Sequence, residues 1–113
     1  MKIEIRQLEA KKAGVVRIEG EVGFTETVEV REGIAEALRS GASRVFVDLS
    51  GVSFIASDGL NALVQAFQEA QAVGKPFALV QPQPHVMGIL QKTQLTKLFH
   101  VHASMEEALA AGA

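Results

Sequence analysis

Val45-Phe46-Val47-Asp48-Leu49 constrains this chain more than any other stretch. A strand that is apolar at almost every position has no face to offer water, so both faces must be covered. That is the signature of a strand inside a parallel sheet. Phe77-Ala78-Leu79-Val80 is a second short run of this kind. Between them, Leu60, Leu63, Val64 and Phe67 recur at i, i+3, i+4 and i+7, the spacing of one helix face. Gly74 and Pro76 then stop that helix.

The rest of the chain follows from this unit. Ile3 and Ile5 alternate with Lys2, Glu4 and Arg6, and Leu8 breaks the alternation slightly, which predicts a half-buried first strand. Lys11-Lys12-Ala13-Gly14 reads as a turn and Val15–Glu19 as a second strand, making an antiparallel hairpin. Gly20-Glu21-Val22-Gly23-Phe24 breaks the strand pattern. Thr25 or Thr27 is placed to cap a helix running to about Ser40, with Val30, Ile34 and Leu38 as its apolar stripe. Gln81-Pro82-Gln83-Pro84 reads as a loop. Val86, Ile89 and Leu90 mark a short helix ending near Thr93, and Phe99–His102 a last strand. Ser104 and Glu107 form a capping box for a terminal helix, Met105–Ala111. The Ala110–Ala113 end is expected to fray.

This order predicts an α/β fold. It is one domain over residues 1–113, with a mostly parallel mixed sheet of about five strands, an antiparallel edge strand and about four helices. Phe46, Val47, Leu60, Leu63 and Phe67 are the expected core.

Composition narrows the chemistry. A formal net charge of −2 is not that of a nucleic-acid binder with a basic stripe. The absence of cysteine excludes disulfides, thiol catalysis and Cys-ligated metal. With no Trp or Tyr, the Phe residues provide no large stacking platform for bases or sugars. The charged start Met1–Arg6 lacks the apolar core of a signal peptide, and no apolar run approaches the ~20 residues of a membrane helix. The expectation is a cytoplasmic protein without direct membrane insertion.

In open α/β sheets function collects at the carboxyl ends of strands, here the loops 20–24, 50–57 and 81–84. The middle one leads into Ser57-Asp58-Gly59 at a helix start. Ser as N-cap and Asp in the first turn are ordinary helix chemistry. Gly59 is a poor first-turn choice, and a small residue there allows another backbone or a partner to come close. Asp48 invites comparison with a receiver aspartate, but Gly20-Glu21-Val22 offers one acid and Phe99–His102 no lysine. The alternative is a strand-end residue bonding loop amides. His100 and His102 share a strand face, and with His85 could be imagined as metal ligands; solvated edge histidines are the simpler reading. No G-x-G-x-x-G or P-loop occurs, and no serine has evident His and acid partners. No catalytic residue, metal site or cofactor is expected.

From Val45 through Asp48-Leu49-Ser50-Gly51-Val52 to Ala56-Ser57-Asp58-Gly59-Leu60 the chain resembles the STAS domain of bacterial anti-sigma factor antagonists. Ile18-Glu19-Gly20-Glu21-Val22, Gly74–Val80 and Ser104–Leu109 fit the family in type and order. The resemblance implies a non-enzymatic partner-switching module. In such a module the unphosphorylated antagonist captures an anti-sigma factor that is also a serine kinase. Phosphorylation at the start of the second helix releases it, because a phosphate adds about −1.5 to −2 charge to a packed interface.

The sequence departs from the family where the switch sits. The family pattern is Asp-Ser-Ser/Thr-Gly-Leu with the acceptor before Gly; here those columns are Ala56-Ser57-Asp58-Gly59, so Asp58 occupies the acceptor column. Gly23 replaces the family's Asp after Gly-Glu-Leu. The resemblance thus implies binding through Glu21, Val22, Gly23, Phe24, Ala56, Ser57, Asp58, Gly59 and Asn61. The phospho-switch would be lost or moved to Ser57. Two other readings stay open: a STAS subunit of a transporter or lipid-trafficking complex, and a small enzyme or receiver-like domain using Asp48.

Overall fold

The computed structural model describes residues 1–111, with the backbone alone at Lys11. Gly112 and Ala113, part of the end expected to fray, lie outside the described residues. The elements are β1 (Lys2–Leu8), β2 (Ala13–Val22), α1 (Thr27–Arg39), β3 (Arg44–Ile55), α2 (Ser57–Ala72), β4 (Phe77–Val80), α3 (Pro84–Lys92), β5 (His100–His102) and α4 (Met105–Ala110). The sheet order is β1-β2-β3-β4-β5. β1 pairs antiparallel with β2, and every other pairing is parallel. The α/β class, the five strands, the four helices and the antiparallel edge are therefore those expected from the sequence.

The sheet has two unequal faces. Val16, Ile18, Val45, Val47, Leu49 and Leu79 point to the side covered by α1, α2 and α3, where they meet Ile34, Leu38, Leu63, Val86 and Leu90. The other face packs a smaller cluster of Ala13, Phe46, Ala78 and Val80 against Ala108 of α4. Period-two alternation sends neighbouring β3 residues into different clusters, which is why that strand is apolar almost throughout. The same geometry explains the broken pattern of β1. Ile3 and Ile5 pack on the large cluster, whereas Leu8 packs on the small one. Of the expected core, Phe46, Val47, Leu60 and Leu63 are buried, while Phe67 is half-buried against the large cluster.

The longest departure from expectation is in β2 and β3. Residues 20–24 and 50–57 read as loops, yet β2 continues to Val22 and β3 to Ile55. The two extensions pair with each other, Glu19↔Gly51, Gly20↔Val52, Glu21↔Phe54 and Val22↔Ile55. Register shifts accommodate the irregular sequence, and Gly20 takes a positive φ of 103°. Such bulges bend a strand without ending it. Asp48, expected at a strand end, lies within β3 instead.

Smaller corrections concern caps and turns. The first turn is a 3-10 segment, Glu9–Lys11, closed by Lys12 at φ 54°, so Ala13 and Gly14 already belong to β2. A second 3-10 turn, Phe24–Glu26, precedes α1. Neither Thr25 nor Thr27 caps that helix; its N-cap is Glu26, and the Thr27 hydroxyl donates to the Phe24 carbonyl at 2.9 Å. Pro84 is the first residue of α3 rather than a loop residue, a position where its missing N–H costs nothing. Phe99 is buried below β5 rather than within it. Ser104 caps α4 as expected, accepting from the Glu107 amide at 3.1 Å.

One close approach sets where α2 begins. The Ala56 amide donates to the Val22 carbonyl at 2.8 Å, joining the ends of β2 and β3 immediately before the helix. A Cβ on Gly59 would lie 2.8 Å from Val22 Cγ1, 2.8 Å from Ile55 Cγ1 and 3.0 Å from the Val22 carbonyl oxygen. The small residue is therefore required by the chain's own packing, two side chains and one carbonyl.

Gly59→Ala is expected to lower stability by about 1–2 kcal/mol, overpacking outweighing the ~1 kcal/mol that Ala gains in a helix. Chemical denaturation reads this out, and a stabilised variant would contradict the packing argument. Leu63→Ala, at a fully buried α2 position, should cost about 2–5 kcal/mol in the same measurement. A loss under about 0.5 kcal/mol would mean that this helix face is not core.

Candidate functional site

The joined ends of β2 and β3 bring residues 21–24 and 56–61 to one end of the sheet. Glu21 is exposed, and Phe24, in the 3-10 turn that follows, is 72% exposed. Water contact over most of an aromatic ring is unfavourable by about 25 cal/mol per Å², so such a side chain marks a surface fit for a partner. The turn carrying it is fixed at its start by Glu26, whose Oε1 accepts from the Gly23 amide at 2.9 Å. The Thr25 hydroxyl donates to the other carboxylate oxygen. These two hydrogen bonds, the hydroxyl's first, hold the Glu26 carboxyl below its ordinary range.

Ser57 and Asp58 open α2, and both are exposed, as is Asn61 one turn on. The N-cap is Ala56, with no side-chain cap. Neither Ser57 nor Asp58 therefore fills the capping position that ordinary helix chemistry offers them. Asp58 sits in the first turn, where the helix dipole favours a carboxylate. With Phe24, Thr27, Arg31 and Asn61 it lines a shallow depression of about 120 Å³. Besides Gly23, which has no side chain, two of the residues singled out in the sequence do not present side chains here. Val22 is buried at 1% exposure, and Gly59 is buried with no side chain. They shape the surface from below.

Two residues at this end escape a reading of the sequence. Phe54 is 43% exposed and stacks on His85 of α3, ring centroids 6.1 Å apart and planes 23° apart. Arg31 enters from α1. Phe54 gives no signal in a stretch whose glycine and serines read as a loop, and only its place in β3 brings it to this end.

Asp48 belongs to a different surface, the sheet face that α4 covers in part. Its Oδ2 accepts from Arg17 Nη1 at 3.1 Å and its Oδ1 from the Ser50 amide at 2.9 Å. The second bond is to an amide of its own strand rather than the loop amide expected of a strand-end aspartate, because β3 runs on to Ile55. Arg17 also donates to Glu19 at 3.0 Å. Glu19, first, and Asp48 hold the guanidinium more firmly protonated than usual. Both Asp48 oxygens are thus engaged, Oδ2 bridging β3 to β2 and Oδ1 bonding within β3. His85, stacked on Phe54, stands apart from His100 and His102 of β5, and no group of three metal-ligating side chains exists among the described residues. No helix among the described residues is long and apolar enough to cross a membrane.

Comparison with known proteins agrees with this geometry. The STAS domain profile matches residues 3–108. A candidate anti-sigma factor antagonist of Thermotoga neapolitana is 32% identical over 74 residues, 66% of this chain and 66% of the relative. The counterpart from Thermotoga maritima is 31% identical over the same share. The chain thus matches just under two thirds of the length of these curated relatives. Among solved structures, an anti-sigma factor antagonist from Mycobacterium paratuberculosis superimposes with a TM-score of 0.87 at 22% identity, covering 97% of this chain and 92% of the other. The unphosphorylated form of the anti-sigma factor antagonist SpoIIAA does so with a TM-score of 0.78 at 24% identity, covering 96% and 93%. A sulfate transporter family protein from Wolinella succinogenes shares the fold at 16% identity, with a TM-score of 0.78 over 89% of this chain and 84% of the other. With its sheet order, its half-irregular β2–β3 ladder and a matching profile over nearly its whole length, this chain belongs to the STAS domain family.

Proposed function

We propose that this chain is an anti-sigma factor antagonist that acts by binding, not by catalysis. It captures an anti-sigma factor of the serine-kinase type in the cytoplasm. The exposed Phe24 ring beside the first turn of α2 carries this reading. Around it, Glu21, Ser57, Asp58 and Asn61 supply a polar rim to an apolar anchor, the anatomy of a binding patch. Gly23, Ala56, Val22 and Gly59 position that rim. The curated relatives carry the antagonist name, and SpoIIAA has been solved in phosphorylated and unphosphorylated forms. The transporter likeness, at 16% identity, speaks for fold alone.

Asp58 decides how such a module would be controlled. A carboxylate carries roughly half the charge of a phosphoserine and lacks its third oxygen, so it copies the phosphorylated state poorly. We read Asp58 as a partner contact, with capture no longer gated at this column. Ser57 is the remaining hydroxyl beside it. One residue along a helix turns a side chain by about 100°, so a kinase fitted to the Asp58 column meets Ser57 at a different angle.

Affinity capture from the native cell, with and without ATP, tests the reading: a kinase-type anti-sigma factor is expected, and recovery of a membrane ATPase instead would sink it. Titrated against the captured partner without ATP, Phe24→Ala should weaken binding about tenfold, or 1.4 kcal/mol. Asp58→Ser should also weaken it while shifting stability by only about 0.3–1 kcal/mol. Tenfold tighter binding of Asp58→Ser would show instead that Asp58 mimics a phosphate. Incubation with the partner kinase and ATP, read by mass spectrometry, should place any phosphate on Ser57. Phosphate on Ser53 or Thr25, with none on Ser57, refutes that assignment.

A further inference from the structure

The surface at Phe24 and Asp58 does not end at the shallow depression beside them. Arg31, which lines that depression, also lines a second hollow of about 240 Å³ together with Val28, Glu32, Ala35 and Glu69. The lining residues run in rows. From the 3-10 turn into α1 they include Phe24, Val28, Arg31 and Ala35, and on α2 Asp58, Asn61, Gln65 and Glu69. Steps of three and four keep each row on one side of its helix. α1 and α2 both start at the carboxyl ends of their strands and pack side by side, so the two hollows form one groove between them. Glu69 stands eleven residues after Asp58, about 16 Å along the axis of α2.

Two features of this groove serve no purpose in the fold. Val28 is 60% exposed and packs on neither core cluster. It lies about 200° around α1 from Val30 of the buried stripe. Standing four residues after the exposed Phe24, it makes one apolar lip with that ring. The second feature is the order of charges. Arg31, Glu32, Asp58 and Glu69 are exposed, and none belongs to an ion pair among the described residues. Asp58 stands at one end, the Arg31 guanidinium where the two hollows meet, and the Glu32 and Glu69 carboxylates in the far hollow.

Both walls of the groove are helical, so there is no strand edge for an added strand to pair with. An irregular segment would bring backbone donors and acceptors that helix walls do not satisfy. A helix laid lengthwise carries its own hydrogen bonds, and three turns of it span about 16 Å. We infer that the groove seats an amphipathic helix of the captured anti-sigma factor, about three turns long. Apolar residues of that helix at i and i+4 cover Phe24 and Val28. A carboxylate on it accepts from Arg31, and a lysine or arginine farther along meets Glu32 and Glu69. The inference rests on Phe24 and Asp58 being the partner surface, and it states what the partner brings there.

The test is a titration of the full chain against the captured anti-sigma factor without ATP. Val28→Ser should weaken binding about fivefold and Glu69→Lys about tenfold, each variant melting close to the parent. Glu106→Lys, on α4 outside the groove, should leave the affinity unchanged. Because the chain has no cysteine, Val28→Cys and Glu69→Cys each provide a single thiol for a photoactivated cross-linker. Both are expected to cross-link to one and the same helix of the partner. Cross-links to a loop, a strand or two separate segments overturn the inference, as does full affinity of either Val28→Ser or Glu69→Lys while Phe24→Ala is weakened. Full affinity of Phe24→Ala, or capture of no kinase-type anti-sigma factor, brings down the partner reading and the inference with it.

Discussion

The parallel pairing of β2 with β3 beyond Asp48 is the constraint on which the rest of the molecule depends. It runs to Val22↔Ile55 and ends in the hydrogen bond from the Ala56 amide to the Val22 carbonyl. That bond satisfies backbone groups at a point where both strands stop, and an unpaired buried carbonyl there would cost about 1–3 kcal/mol. It also leaves α2 no choice of origin. The helix starts one residue later, close enough to Val22 that only glycine fits at position 59. Phe24, two residues beyond Val22, is thereby held next to Asp58.

This arrangement separates the work of the two sheet faces. The α1–α3 side is continuous hydrocarbon and supplies most of the burial. The other face has a single short helix, α4, and beyond its reach the sheet is polar, with Arg17 bridging Glu19, Asp48 and Ser50. Half-exposed ion pairs of this kind contribute little net stability. Their geometric effect is larger than their energy. Arg17 and Asp48 are a directly opposed pair in the ladder, just before the first register shift, so the bridge keys β2 to β3 where the alignment begins to slip.

Much of the candidate site was legible in the sequence, though not its shape. Ser57, Asp58 and Gly59 stood out because a glycine follows an acid at a helix start, and the family pattern put the expected acceptor at Asp58. Phe24 was within reach as a residue past a pattern break. Phe54 and Arg31 were not, because their positions depend on how β3 and α1 arrive at the same end of the sheet. Gly59 was correctly marked as a site of close approach, but the approaching group is the chain's own Val22 rather than a partner.

By itself, then, the sequence determined the element order, the parallel class and most of the core. Those depend on local pattern: in α2 the apolar spacing agrees with only one secondary structure, and in β3 a short run rich in β-branched residues marks a strand. It also determined that the family's acceptor column holds an acid. Only the tertiary structure decided that residues 20–22 and 50–55 are strand. Their glycines, serines and acids have weak strand preference, and each stretch becomes a strand because the other is there to pair with it. It alone also decided that β5 begins at His100 rather than Phe99, since an edge strand's length depends on what its neighbour can bond. Pairing between distant segments leaves no periodic trace in either one.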